Sequence, residues 1–127
     1  MARQVILSPN APAPVGPYSQ GIRVGDLVFV AGQIPLDPAT GAMPGDIAEQ
    51  TRLALTNVRA VVEAAGGSLA DVVKTTVFLT DLDDFGAMNA VYATFFAEQP
   101  PARACVEVAR LPKGARVEVE AIAAIGP

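Results

Sequence analysis

The spacing of apolar positions changes several times along the chain, and each change predicts an element. Ile47, Thr51, Leu55, Val58, Val62 and Ala65 recur every three or four residues, the period of a helix with one face in a core. Asp46 with Glu49 resembles a capping box at its start, and Gly66-Gly67 supplies the stop. A second stripe, Phe85, Met88, Tyr92, Phe95 and Phe96, predicts a helix beginning near Asp83, with Pro100-Pro101 blocking any continuation. Between the two helices, "DVVKTTVFLTD" is β-branched and predicts a strand from Val72 to Leu79. The runs "YSQGIRV" from Tyr18 and "LVFVAG" from Leu27 flank Gly25-Asp26 and predict an antiparallel hairpin. Near the end of the chain, Arg103–Ala109 and Arg116–Ile125 alternate charged and apolar residues about a short Pro/Lys/Gly turn.

The predicted order is β-β-α-β-α-β-β, an α+β fold with a mixed sheet, hairpins at either end and both helices on one face. Val117, Val119, Ala121 and Ala123 are expected to face the helices, and Arg116, Glu118 and Glu120 to face away. One sheet face is therefore left for solvent, a ligand or another subunit. At 127 residues the chain is expected to form a single domain, residues 1–127. It is 51% apolar, which favours burial of some surface against copies of itself. No apolar run approaches the roughly 18–20 residues of a membrane helix. The patch in "MARQVILSPNAPAP" is cut off by prolines, too short for a signal-peptide core, and Pro9–Pro17 reads as an extended loop. A cytoplasmic protein without membrane contact is the expectation. The net charge of -4 and nine scattered basic residues argue against nucleic acid as the main partner.

Cys105 is the single cysteine and histidine is absent, so intrachain disulfides, Ser-His-Asp and Cys-His catalysis are excluded and no metal site is expected. Chemistry is left to carboxylates, arginine, tyrosine, amides, backbone groups and water. Arg103 shares a strand face with Cys105 and Glu107; its guanidinium can grip a carboxylate through two hydrogen bonds, or it is an exposed edge charge. Cys105 lacks a partner to stabilise a thiolate, which leaves a packing or backbone role. Glu118 and Glu120 can position or deprotonate a water, or with Glu107 form a solvated face; spacing does not choose. Asn89 interrupts the apolar stripe of the second helix, so its amide needs a backbone partner, solvent or a ligand. Tyr18 offers an aromatic wall and a hydroxyl. Gly32 admits a ligand close to its backbone, or relieves packing.

Several segments in the same order, "NAPAPVGPYSQG", "VAGQIPLDPATG", "NVRAVVEAAG", "VVKTTVFLTDLDDF", "NAVYATFF" and "PARACVEVARLPKGARVEVEAIA", resemble the Rid/YjgF family of imine/enamine deaminases, also called endoribonuclease L-PSP-like. Arg103 stands where the imine-deaminase subgroup carries its arginine. The resemblance implies a chorismate-mutase-like fold and a homotrimer with clefts between subunits, which supplies a cover for the free sheet face. It implies that Arg103 clamps a substrate carboxylate and that Tyr18 lines the pocket from the adjoining subunit. Glu118 and the Cys105 backbone carbonyl would hold the attacking water, while the Gly32 backbone and Asn89 shape the site. The implied substrates are 2-iminobutanoate and 2-iminopropanoate, hydrolysed to 2-oxo acids and ammonia without metal or organic cofactor. Two rival readings are a non-catalytic trimer that binds small acids or proteins, and the ribonuclease or translation-inhibitor activity also ascribed to the family. The chain departs from many members in having Ala31 rather than serine before Gly32. Its "FFAEQPPAR" stretch is also short and lacks an aromatic, which implies a more open cleft rim.

Overall fold

The computed structural model describes residues 2–126. The order is β1 (Arg3–Ile6), β2 (Gly21–Val24), β3 (Leu27–Gln33), α1 (Ile47–Ala64), β4 (Val72–Leu79), α2 (Phe85–Phe95), β5 (Ala102–Glu107) and β6 (Val117–Ala124). All six strands form one mixed sheet in the order β1-β2-β3-β6-β4-β5, and both helices pack on one face of it. The expected α+β class is therefore correct, with one strand more than the sequence pattern predicted. That strand, β1, pairs antiparallel with β2. Only Ile6 of its four residues is buried, so the chain carries no alternation there that would announce it.

The expected hairpin at the C-terminal end is not formed. β4, α2 and β5 make a parallel crossover, which places β5 beside β4 at the sheet edge. β6 inserts on the other side of β4, antiparallel to both β3 and β4. The connection from β5 to β6 thus crosses the end of β4 and is tied to it at both ends. Val108 N–H donates to the Leu79 carbonyl at 2.8 Å, and Thr80 N–H donates to the Arg116 carbonyl at 3.2 Å.

Helix α1 starts at Asp46, whose carboxylate accepts from the Glu49 N–H at 3.0 Å. Only half of the predicted capping box forms, because the Glu49 carboxylate turns to Arg52 at 3.4 Å. At the other end Arg23 reaches from β2 and donates to the Ala65 carbonyl at 2.9 Å, where a cation also suits the helix dipole. The buried faces of α1 (Leu55, Val58, Val61, Val62) and α2 (Met88, Tyr92) close on Val28, Val77, Leu79, Val117 and Val119 of the sheet.

Arg116 was expected on the open sheet face. It instead turns toward the helix starts, donating to Asp84 at 2.8 Å and to the Gly45 carbonyl at 3.1 Å, while its own N–H donates to Gln50. It sits just before β6, where strand alternation has not yet begun, and two polar acceptors lie within reach. Glu118 and Glu120 do face away from the helices, as expected. Exposed Val5, Leu27, Phe29 and Val106 add apolar surface to that face, beside Lys74 and Thr76 of β4. Among the described residues no helix is long and apolar enough to cross a membrane.

Candidate active site

A cavity of about 360 Å³ opens beside the end of the sheet, and Glu118 on β6 supplies its one acidic side chain. Gly32 and Ala31 form the wall against which that carboxyl lies. The register of β3 on β6 jumps between Val30 and Gln33, so Ala31 and Gly32 bulge out of the ladder and their backbone leaves regular pairing. Tyr18, about half exposed, forms another wall, and its hydroxyl accepts from the Val15 N–H at 3.4 Å. The structure thus brings Tyr18, Gly32 and Glu118 together within one chain.

Burial pushes the Glu118 carboxyl above the ordinary glutamate range, and the neighbouring Glu120 carboxylate pushes it further the same way. The three candidate glutamates are told apart by their partners and placement. Glu107 accepts from the Leu82 N–H at 2.9 Å and so caps the turn before α2. Glu120 is exposed on the open sheet face, and Glu118 alone lines the cavity.

Two buried amides that the sequence pattern did not single out hold the cavity walls. Gln20 donates to the carbonyls of Ser8 (3.1 Å), Ala11 (3.3 Å) and Pro12 (2.8 Å), and accepts from the Ser8 N–H at 2.6 Å. It stands in for the ladder bonds that the proline-rich loop lacks. Asn57 projects from α1 and donates to the carbonyls of Ile34 (3.1 Å) and Leu36 (3.0 Å), both in the opposite wall. Its own Oδ1 is buried without a partner among the described residues. The available signal was positional: Asn57 sits between Ala54 and Val61 on the core face of α1, where an amide needs a reason.

Arg103 lies elsewhere. It pairs in register with Thr75, whose side chain is buried under the helices, so Arg103 faces α2 rather than the open side. Its Nη1 donates to Asn89 Oδ1 at 2.7 Å. The guanidinium stacks on Tyr92 at 4.7 Å and on Phe85 at 5.3 Å from the ring centres. Tyr92 is fixed in turn by a 2.7 Å hydrogen bond with Thr75. Asn89 is exposed on its helix, so its place in the apolar stripe reflects contact with Arg103 and not burial in the core. Phe85 and Tyr92 looked like core residues alone, yet both double as the platform for the guanidinium.

Arg103 and Glu118 are separated by β4 and point to opposite faces of the sheet, two strand spacings or about 10 Å apart across it. Within one chain the Arg103 side chain therefore does not meet Glu118, and Arg103 and Cys105 do not share a face with the glutamates of β6. Cys105 packs its thiol against the core, where burial pushes the pKa up and nearby Arg103 only partly offsets it. A raised thiol pKa suits the packing role and not a nucleophile. Among the described residues no group of three His, Cys, Asp or Glu side chains is placed to hold a metal ion.

The architecture defines the class first: a small α+β domain with an open, partly apolar sheet face and a carboxyl-bearing cavity beside it. A profile of the endoribonuclease L-PSP family matches residues 8–125, and the chain belongs to that family, the Rid/YjgF family its motifs resemble. It is 54% identical over 123 residues to 2-iminobutanoate/2-iminopropanoate deaminase of Escherichia coli K12, covering 94% of this chain and 96% of that protein. It is 57% identical over 124 residues to a RutC family protein of Pyrococcus abyssi, with 97% and 98% covered. The crystal structure of E. coli TdcF with bound serine superposes with a TM-score of 0.95 at 49% identity, covering 97% of this chain and 99% of that one.

Proposed function

We propose that the protein is a cofactor-independent deaminase that hydrolyses 2-iminobutanoate and 2-iminopropanoate to 2-oxo acids and ammonia, at a site completed by two neighbouring chains of a homotrimer. The observation that carries this reading is the half-buried Glu118 carboxyl lying over the bulged Gly32 backbone in a cavity lined mostly by apolar residues. The activity named for the E. coli relative is one that such a site can perform.

Arg103 clamps the substrate carboxylate, held ready by Asn89 and the Tyr92 ring. Glu118, with the Cys105 backbone carbonyl of the adjoining chain, holds a water against the imine carbon. The water oxygen bonds to that carbon, its proton passes to the imine nitrogen through the Glu118 carboxyl, and a carbinolamine forms. The hydroxyl proton then passes to the nitrogen, the C–N bond breaks with its electron pair going to nitrogen, and ammonia leaves as the C=O of the 2-oxo acid forms. Imines already react with water, so orientation and a modest electrostatic push account for the chemistry. The partly apolar open face, with Leu27, Phe29 and Val106 exposed, supports assembly, because burying it against a copy removes it from water. That assembly also carries Arg103 of one copy toward Glu118 of the next.

A coupled assay tests the reading. Threonine dehydratase generates 2-iminobutanoate in the presence of semicarbazide, and purified protein or Arg103→Ala is added. The wild type is expected to suppress semicarbazone formation and the variant is not. No suppression by correctly assembled wild type rejects the deaminase reading for this substrate.

A further inference from the structure

Among the described residues, Lys113 is the one cation lining the Glu118 cavity. It is exposed, belongs to the β5–β6 connection, and has no carboxylate within salt-bridge distance among the described residues. Its backbone is left-handed, with φ 58° and ψ 22°, a conformation that strains a side-chain-bearing residue and not glycine. Gly114 follows, also at positive φ, so the turn has glycine available and still uses lysine at the first of the two positions. A turn chosen for backbone reasons alone would use glycine or asparagine there. What the lysine adds is a cationic side chain on a residue that lines this cavity.

The cavity needs that charge. Besides Lys113 its one formally charged lining residue is Glu118, and Glu120 stands two residues along the same strand, so the local field repels an anion. The chain as a whole carries -4. An anionic substrate must enter against this field before Arg103 can grip it. We propose that Lys113 is the electrostatic guide for the substrate carboxylate, drawing small 2-imino and 2-oxo acids into the Glu118 cavity. The inference rests on the deaminase reading for its substrate class. It concerns encounter and binding, not the hydrolytic step, so its mark is salt-dependent kcat/KM with kcat unchanged.

The test combines kinetics with equilibrium binding of 2-oxobutanoate by calorimetry, each at low and high salt. Lys113→Gln is expected to lower kcat/KM and 2-oxobutanoate affinity about tenfold at low salt, the low end of what a focused field supplies. The difference should vanish at high salt, where screening is complete within about 3 Å. Lys113→Arg should keep wild-type values. Lys113→Gly should match Lys113→Gln in kinetics while melting higher, which separates the charge from the strained backbone. Wild-type kinetics and affinity in Lys113→Gln overturn the proposal and leave the deaminase reading standing. Salt- and Lys113-dependent binding of 2-oxobutanoate without any imine hydrolysis upholds the guide and rejects the deaminase reading. Absence of both binding and hydrolysis in the wild type rejects the two together.

Discussion

The Glu118 carboxyl lies against the backbone of Gly32 so closely that a Cβ at position 32 would stand 2.8 Å from both Cδ and Oε2 of the glutamate. The atoms it meets are the far end of a flexible side chain, so the clash is relieved by moving the carboxyl and not the sheet. Gly32→Ala is therefore expected to cost about 1 kcal/mol in unfolding free energy, the low end of what overpacking costs. Its cost in kcat should be about 10- to 100-fold, since a catalytic group displaced by an ångström loses that much. Denaturant melts alongside kinetics check the pair of effects. Equal losses in both would mean that Gly32 serves packing alone.

Proton affinity at Glu118 gives a second prediction. A carboxyl that must be ionised to orient or accept from water fails as pH falls through its pKa, which here lies above the ordinary glutamate range. The acid limb of kcat/KM should accordingly sit above that range. Glu120→Gln removes a neighbouring negative charge and should move the limb to lower pH. For stability the sign is opposite to that of a salt-bridged acid. The folded chain holds the Glu118 proton more tightly than the unfolded chain, so stability falls as pH rises from the unfolded pKa through the folded one. Glu118→Gln should raise the melting temperature at neutral pH and leave it unchanged below the unfolded pKa.

Arg103 is seated by three contacts of different kinds: the Asn89 oxygen, the Tyr92 ring and the Phe85 ring. A lysine keeps the charge but loses the planar fork and the stacking. Arg103→Lys is expected to raise KM at least about 30-fold, and Asn89→Ala less, about threefold to tenfold, consistent with losing a charge-assisted hydrogen bond to the anchor and not to the substrate. Steady-state kinetics of both variants settle the order. An Asn89 effect as large as that of Arg103 would give the amide a direct role at the substrate.

The two buried amides should differ when replaced. Gln20→Leu orphans three carbonyls and one N–H and is expected to cost about 2–3 kcal/mol. Asn57→Leu orphans two carbonyls but removes an oxygen that already lacks a partner, so about 1 kcal/mol is expected. Both should raise KM, because each loosens one wall of the Glu118 cavity. Urea unfolding and KM measured together test this ranking.

Most of the architecture was legible in the apolar spacing, for reasons these residues make plain. The α1 stripe from Ile47 to Val62 is buried as its period predicts, and the strand Val72–Leu79 is reproduced to the residue. Pairing was not legible. Alternation shows that Arg103–Glu107 and Val117–Ala124 are strands, but two adjacent strands in sequence are also neighbours in space only if the turn between them is tight. Here the intervening loop passes over β4, and the two strands never meet. The same fact hid the true placement of Arg103, since facing the helices or the open side depends on register with β4. Residue types pointed to Glu118 and Arg103; the division of the site between two faces needed the fold.

The central claim is that one chain's Arg103 works with another chain's Glu118. Mixing two inactive variants, Arg103→Ala and Glu118→Gln, in one co-refolded assembly measures this directly. Each has the group the other lacks. With random assortment in a closed ring, about a quarter of the clefts would pair an intact Arg103 with an intact Glu118. The account predicts that imine deaminase activity returns to about that fraction of wild type, while each variant refolded alone stays inactive. A mixed assembly no more active than its separate components would contradict it.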